Sequence, residues 1–216
     1  MLAFAAIVAW DFGGLDLPLA RLMGGGAGFP MRGSRALVLS LHEMPRFLSW
    51  AMLIGLGLAV VRPFGLLRRL SRFERAQLAL SVLASVLVVA GFKYTSRTSC
   101  PWDLQAFGGI ARHVSHWALG VADGGPGGCF PAGHASAAFA YLGGWFVFRR
   151  ASPRLAWAWF AAAVGAGLLL GLAQQWRGAH FMSHTLWTAW LCWTTGLLID
   201  LAAQRWPGKV PPAGTQ

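Results

Sequence analysis

Apolar residues gather in five long runs along this chain, separated by polar or basic stretches. The runs cover approximately residues 47–62, 76–92, 133–148, 155–173 and 185–203. Runs of roughly 17 to 25 apolar residues are typical of helices that cross a bilayer. A shorter run, Met1 to Trp10, ends before Asp11; a partial helix and a start upstream of the printed one both stay open. The pattern predicts an all-α membrane helix bundle of about six transmembrane helices.

The composition supports a membrane location. Only 12% of the residues are charged and 56% are hydrophobic, whereas soluble domains carry about 25% charged residues. We therefore expect an integral membrane protein with a single membrane-embedded domain over residues 1–206. The Pro- and Gly-containing tail, residues 207–216, is expected to be disordered.

The net charge of +11 is distributed in a way that indicates topology rather than nucleic-acid binding. Basic residues concentrate in every second connection between apolar runs, which is the positive-inside pattern. These residues are Arg62, Arg68, Arg69, Arg72, Arg75, Arg149, Arg150, Arg154, Arg205 and Lys209. Placing them inside puts segments 11–46, 93–132 and 174–184 outside, with all six histidines on or near that outer face. We expect no nucleic-acid partner.

Residues 174–184 combine a guanidinium with two imidazoles. On a helix, Arg177, His180 and His184 would lie three or four residues apart on one face. Arginine matches phosphate oxygens with its planar fork, and a neutral imidazole can attack phosphorus or move a proton near neutral pH. Two alternatives stay open: polar residues resting at the headgroup boundary, and a metal pair of i, i+4 histidines. The metal pair has no carboxylate base between its histidines.

The stretch Pro131-Ala-Gly-His134 stands at the start of an apolar run. A helix N-terminus attracts anions through its unpaired N–H groups and its positive dipole end. Gly133 lets the backbone approach a ligand closely, and His134 is placed to donate a proton to a leaving group. A purely structural histidine is the alternative.

A third polar stretch, Lys93 to Pro101, closes an apolar run and enters the outer segment. Lys93 and Arg97 are four residues apart, so a continued helix would put both cations on one side. Interfacial snorkelling of two long cations is the alternative. Cys100 and Cys129 lie in the same outer segment, and a disulfide and two unpaired thiols both fit the sequence.

Taken in order, these stretches resemble the signature of the type-2 phosphatidic acid phosphatase superfamily, K-x6-R-P, then P-S-G-H, then S-R-x5-H-x3-D. Lys93, His134 and His180 match the lysine and the two catalytic histidines. The departures are Cys100 for the first arginine, Ala132 for the serine, Ala173 and Gln174 for Ser-Arg, and His184 for the aspartate. The resemblance spans about residues 76–203 and implies an all-α membrane fold of that type.

The resemblance implies a metal-independent phosphatase that needs no cofactor. His180 would attack phosphorus to give a phosphohistidine, and His134 would protonate the leaving oxygen. The oxygens of the phosphoryl group would be held by Lys93, Arg97, Arg177 and the backbone of Gly133. His184 could accept a hydrogen bond from His180, but a neutral imidazole cannot stabilise an imidazolium electrostatically as the lost aspartate would.

A pocket at the membrane surface meets lipid headgroups first, so we expect a lipid phosphate or diphosphate as substrate and membrane lipids as surroundings. The implied location is a bacterial inner membrane, with the site facing the periplasm. Three alternatives stay open: an inactive relative that binds phospholipid headgroups, a lipid phosphotransferase, and a small transporter or channel. The oligomeric state is not indicated.

Overall fold

The computed structural model describes residues 2–206 and contains helices, with no strand among those residues. The helices are α1 Leu2–Phe12, α2 Asp16–Arg21, α3 Arg35–Val38, α4 Met44–Val61, α5 Arg72–Thr95, α6 Ser136–Phe139, α7 Gly144–Ala151, α8 Pro153–Trp176 and α9 Met182–Gln204. A π-helical turn, Leu39–Glu43, joins α3 to α4, and a 3-10 turn, Ala140–Gly143, joins α6 to α7. Further 3-10 turns are Gly65–Arg69, Pro101–Asp103 and Gln105–Phe107. The predicted all-α class is confirmed.

Four helical stretches are long and apolar enough to cross a membrane. They are Arg35–Arg69, Arg72–Thr95, Pro153–Trp176 and Met182–Gln204. The other two predicted spans form shorter helices, because α1 has 11 residues and the stretch 136–151 extends only about 24 Å at about 1.5 Å per residue. A bilayer core is about 30 Å thick. The predicted tail, 207–216, lies outside the described residues.

Local capping explains where the long helices begin. Ser71 starts α5 with a capping box: its hydroxyl accepts from the N–H of Glu74 at 3.2 Å, and its own N–H donates to the Glu74 carboxylate at 2.8 Å. Ser152 caps α8, where Pro153 occupies the first turn. Such caps satisfy N–H groups that have no partner within the helix. By contrast, α9 has no side-chain cap at its own N-cap residue, Phe181.

Small residues let α5, α9 and the turn between α6 and α7 pack closely. A Cβ on Gly143 would lie 2.8 Å from the Cβ of Ser81, and a Cβ on Gly196 would lie 2.8 Å from the Cα of Gly143. Close backbone approach through small residues is the usual packing mode of membrane helices. The two glycines therefore fix how near α9 sits to the centre of the bundle.

A polar network closes one end of the bundle, which we call the basic end. The carboxylate of Asp200 is fully buried and lies 3.0 Å from Nη2 of Arg149. Asp200 also pairs with Arg150 and accepts from Nε2 of Gln77 at 2.8 Å. Because the basic connections lie at this end, the chain runs back and forth between it and the opposite end, which carries the three polar stretches and is called the motif end.

Candidate active site at the motif end

Backbone hydrogen bonds join the three polar stretches to one another. The N–H of Trp102, which directly follows the stretch that ends at Pro101, donates to the carbonyl of Gly178 at 2.9 Å and so ties the end of that stretch to residues 174–184. The N–H of Ala132 donates to the carbonyl of His184 at 3.2 Å, which ties the second to the third. Segments far apart in sequence therefore share one rigid frame at the motif end.

Five imidazoles form a row across this frame. The ring centroids of His42 and His134 are 4.0 Å apart, and those of His134 and His180 are 5.9 Å apart. The row continues from His180 to His184 at 5.8 Å and from His184 to His116 at 6.1 Å. The structure thus brings together the three histidines predicted to be catalytic and adds one at each end of the row.

Lys93 reaches the row from the last turn of α5. Its ammonium donates to the carbonyl of Gly128 at 2.5 Å. A Cβ on Gly133 would lie 3.4 Å from Cδ of Lys93, a van der Waals contact distance. The lysine stem and the segment that leads into α6 therefore lie side by side.

Arg177 is close to the row but is held differently from the prediction. Residues 174–184 do not form one helix, because α8 ends at Trp176 and Gly178 adopts a left-handed φ of +76° that terminates it. The Arg177 side chain is 8% exposed, and its Nη1 donates to Oε1 of Gln174 at 2.9 Å. Its Nε and Nη2 donate to the carbonyl of Arg32 at 3.3 and 3.2 Å. Gln174, at the position of the signature arginine, thus helps to hold a guanidinium that comes three residues later.

The structure does not place Arg97 beside Lys93 and His134, and this corrects the expectation that it would accompany Lys93. Helix α5 ends at Thr95, so the continued helix needed to align Arg97 with Lys93 does not form. Arg97 is exposed and lines a separate, mainly apolar cavity with Trp117, Trp190 and His116, the imidazole at the far end of the row.

A cavity of about 250 Å³ opens beside Lys93 and His134. Its polar lining comes from His42, Arg46, Lys93, Gly133 and His134, and its apolar lining includes Trp50, Leu53, Val86 and Ala137. Sequence reasoning missed Arg46 as a site residue. The available signal was its spacing of four from His42, which places both side chains on one helix face just before the first apolar run.

His180 lies next to His134, with ring centroids 5.9 Å apart, and is only 2% exposed. Its Nδ1 is 3.5 Å from Sγ of Cys129, which leaves Nε2 as the free ring nitrogen. Burial is the main cause that lowers the pKa of His180 well below its usual value, and the nearby His184 and Lys93 lower it further. The imidazole is therefore neutral, as a nucleophile must be.

His134 is neutral for the same physical reason. Burial, followed by the neighbouring His42 and Lys93, lowers the pKa of His134 to about 3. Its Nδ1 is buried and has no hydrogen-bond partner within residues 2–206. His134 itself lines the cavity beside Lys93, so its ring lies next to a ligand bound there.

Cys100 and Cys129 form a disulfide in the structure, with Cα atoms 5.1 Å apart. Their sulfurs and a ring nitrogen of His180 lie within 4.8 Å of one another, a spacing that could hold a metal ion. Bonded sulfurs cannot act as thiolate ligands, so this set fits a metal only after reduction. The alternative metal pair of His180 and His184 also loses its basis, since His180 precedes α9 and does not share a helix with His184.

Comparison with known proteins gives one match. A family model described as the PAP2 superfamily matches residues 75–206, which include all three polar stretches. No curated protein matches the chain, and no solved structure does.

Proposed function

This chain belongs to the PAP2 superfamily, whose members are generally phosphatases, and on that premise we propose that it hydrolyses a lipid phosphate or diphosphate through a phosphohistidine. Its four long apolar helices and its family make it an integral membrane protein. The proposed reaction needs no metal, and its site faces the outside of the membrane.

The observation that supports a lipid substrate is the composition of the cavity beside Lys93. Its lining combines two cations, Lys93 and Arg46, with the apolar side chains of Trp50, Leu53 and Val86, all from the membrane-crossing helices α4 and α5. A phosphate ester with an acyl or prenyl chain suits this mixed lining, because cations bind its oxygens and apolar side chains contact its hydrocarbon. A small soluble phosphate would leave the apolar part of the lining without a contact.

The proposed chemistry makes His180 the nucleophile and His134 first the acid and then the base. Nε2 of His180 attacks phosphorus, the bond from phosphorus to the ester oxygen breaks, and His134 transfers a proton to that oxygen. Water, deprotonated by His134, then attacks the phosphohistidine and releases inorganic phosphate. Lys93, Arg46 and the Gly133 backbone hold the remaining oxygens, which is the main contribution expected in phosphoryl transfer.

His134 must be protonated to act as an acid, although its pKa in the free protein is about 3. A phosphate dianion offsets the positive charges of Lys93 and Arg46, two of the causes of that low pKa. Substrate binding therefore raises the pKa of His134, and the acid is prepared only when phosphate is present.

Two features support a site on the periplasmic face of a bacterial inner membrane. The basic connections lie at the opposite end of the bundle, which the positive-inside rule assigns to the cytoplasm. A disulfide between Cys100 and Cys129 suits an oxidising compartment.

The test is phosphate release by the detergent-purified protein from a panel of lipid phosphates and diphosphates, with EDTA present. The variant is His180→Ala, and Arg112→Met is the control, because Arg112 is an exposed cation of the same outer segment. Release that resists EDTA and disappears only in His180→Ala supports the proposal, as does an alkali-stable, acid-labile phosphoprotein. Release abolished by EDTA, or unchanged in His180→Ala, overturns it.

One observation favours a second function, a phospholipid-binding relative without hydrolysis. His180 is 2% exposed and does not line the cavity beside Lys93, whereas His134 does, so a phosphate bound in that cavity lies against His134 rather than against the proposed nucleophile. In the same assay, saturable binding of phosphorylated lipids with no release indicates this second function. Phosphate transfer to an added acceptor lipid without release indicates a phosphotransferase.

A further inference from the structure

A second, smaller cavity lies next to His184 and is not part of the proposed substrate site. It measures about 70 Å³. Its polar lining combines residues of the N-terminal segment with histidines of the outer segment and with α9: Asp11, Asp16, His113, His116 and His184. Two carboxylates thus face the part of the site where the signature aspartate is missing.

Asp11 is a buried carboxylate held by three donors. Its side chain is 3% exposed. Oδ2 accepts from Nε2 of His116 at 3.1 Å, from Nε1 of Trp117 at 3.0 Å and from Nε1 of Trp187 at 2.8 Å. Oδ1 is buried and has no partner within residues 2–206.

His184 has a matching unsatisfied atom. The residue is 1% exposed, and its Nδ1 is buried with no partner among the described residues. Its ring meets that of His116 edge to face, at an interplanar angle of 82°. A polar cavity of this volume exceeds the roughly 10–15 Å³ that one water needs, and buried waters typically bridge otherwise unsatisfied polar groups.

We propose that Asp11 is a positioning residue that supplies, through His116 and water in this cavity, the negative charge that His184 cannot provide beside His180. This inference rests on the proposed function, because it concerns the histidine assigned as nucleophile. Phosphorylation of the neutral His180 ring converts its imidazole into a positively charged imidazolium. Nδ1 of His180 faces Sγ of Cys129 and Nε2 carries the phosphoryl group, so the chain from Asp11 ends at the His184 ring, whose centroid is 5.8 Å from that of His180. A fixed carboxylate at the far end of that chain stabilises the charge through space better than a neutral imidazole alone.

The surrounding charges agree with this arrangement. Burial lowers the pKa of His116, while the carboxylates of Asp11 and Asp16 act in the opposite direction. Asp16 is less suited to the role, since its oxygens already accept from Ser183 and from Nε1 of Trp10. Among the described residues, Oδ1 of Asp11 is therefore the carboxylate oxygen of this pair that has no hydrogen-bond partner.

The first test compares kinetics of Asp11→Asn with those of Asp103→Asn, a carboxylate of the outer segment that does not line the cavity. Asparagine keeps an acceptor for the tryptophan N–H groups and removes only the charge. We expect kcat of Asp11→Asn to fall about 10- to 100-fold with KM little changed. This is the usual loss when a residue that orients a functional imidazole through hydrogen bonds is replaced. An unchanged kcat, or a change in KM alone, overturns the proposal.

A double-mutant cycle shows whether Asp11 and His116 act through the same chain. His116→Gln breaks the same chain at its middle, so the losses in kcat from Asp11→Asn and His116→Gln should not add. Additive losses would show that the two residues act separately and would overturn the proposal. Thermal unfolding of each variant separates a loss of folding from a loss of catalysis.

A measurement without turnover separates this inference from the proposed function. Protein labelled with ¹⁵N-histidine reports the protonation and tautomer of each ring, and His184→Gln assigns the His184 signals. We expect Asp11→Asn, but not Asp103→Asn, to shift the ring signals of both His116 and His184. If the wild type releases no phosphate, the proposed function fails. The proposed chain from Asp11 through His116 to His184 is then tested by these shifts alone. A His184 signal that does not change in Asp11→Asn overturns the proposal.

Discussion

The carboxylate of Asp16 accepts the backbone N–H of Ser183 at 3.0 Å, although 167 residues separate the two in the chain. Ser183 lies in the first turn of α9, a helix without a cap of its own. Asp16 also accepts from the Ser183 hydroxyl. A residue of the N-terminal segment thus caps the helix that carries His184, and its negative charge lies at the positive end of the helix dipole.

Replacing Asp16 with alanine should therefore destabilise the motif end. We expect Asp16→Ala to lower the free energy of unfolding by about 1–2 kcal/mol, the usual loss for a helix cap. Ser183→Ala should cost less, because it removes the hydroxyl and keeps the backbone N–H bond. Thermal or denaturant unfolding in detergent measures both. Equal losses in the two variants would show that the backbone bond contributes nothing.

Phosphate binding should depend on Lys93 and Arg46, the two cations that line the cavity beside His134. We expect Lys93→Met and Arg46→Met each to lower kcat/KM about 100- to 1,000-fold, the range for removing a group that stabilises developing charge. Arg112→Met is the control for lost charge. Arg97→Met should have a smaller effect than Arg46→Met, and the reverse order would contradict the placement of Arg97 outside the site.

Stability should rise with pH across the range in which His134 titrates only in the unfolded chain. The pKa of His134 falls from 6.5 to about 3 on folding, mainly because of burial. Between these values the unfolded state binds more protons, so stability is lost as pH falls and is complete above the unfolded pKa. The melting temperature should be lower at about pH 5 than at about pH 7.5. The difference should shrink in His134→Gln without vanishing, because burial lowers the pKa of His180 in the same direction.

The Cys100–Cys129 disulfide should stabilise the outer segment. It closes a separation of 29 residues, for which loop-closure entropy predicts about 3–4 kcal/mol. We expect the double variant Cys100→Ser, Cys129→Ser to lose about that much stability and to become insensitive to dithiothreitol. Cys192→Ala serves as the control, since Cys192 is a buried free thiol. A wild type whose melting temperature does not respond to reductant would contradict the prediction.

The sequence predicted the site where local signals sufficed. Lys93, His134 and His180 each stand in a motif next to an apolar run, so their meeting at one membrane face followed from helix order alone. Arg97 was misplaced because the end of α5 at Thr95 is a tertiary outcome with no strong breaker nearby. The helix expected over residues 174–184 failed at a visible signal, Gly178, whose left-handed backbone ends α8.

Other site residues could not be found from motifs. His42, Arg46 and Asp11 belong to the N-terminal segment, which the family signature does not include. Their contribution depends on how that segment folds back over the motif end, as shown by the contact of His42 with His134 and of Asp11 with Trp187. Packing between distant segments leaves no periodic pattern in the sequence. The spacing of four between His42 and Arg46 indicates only that they share a helix face, and the structure is needed to place them at the site.

The backbone bonds from Trp102 to Gly178 and from Ala132 to His184 have a consequence for how the protein tolerates different membranes. Helices tilt when their apolar length does not match the thickness of the surrounding hydrocarbon. These bonds connect the segments that adjoin α5, α6, α8 and α9 at the motif end. When the helices tilt, the imidazoles should therefore move together as one unit. The distances between the imidazole rings should then not change with lipid chain length, and the change in helix position should occur mainly at the basic end of the bundle.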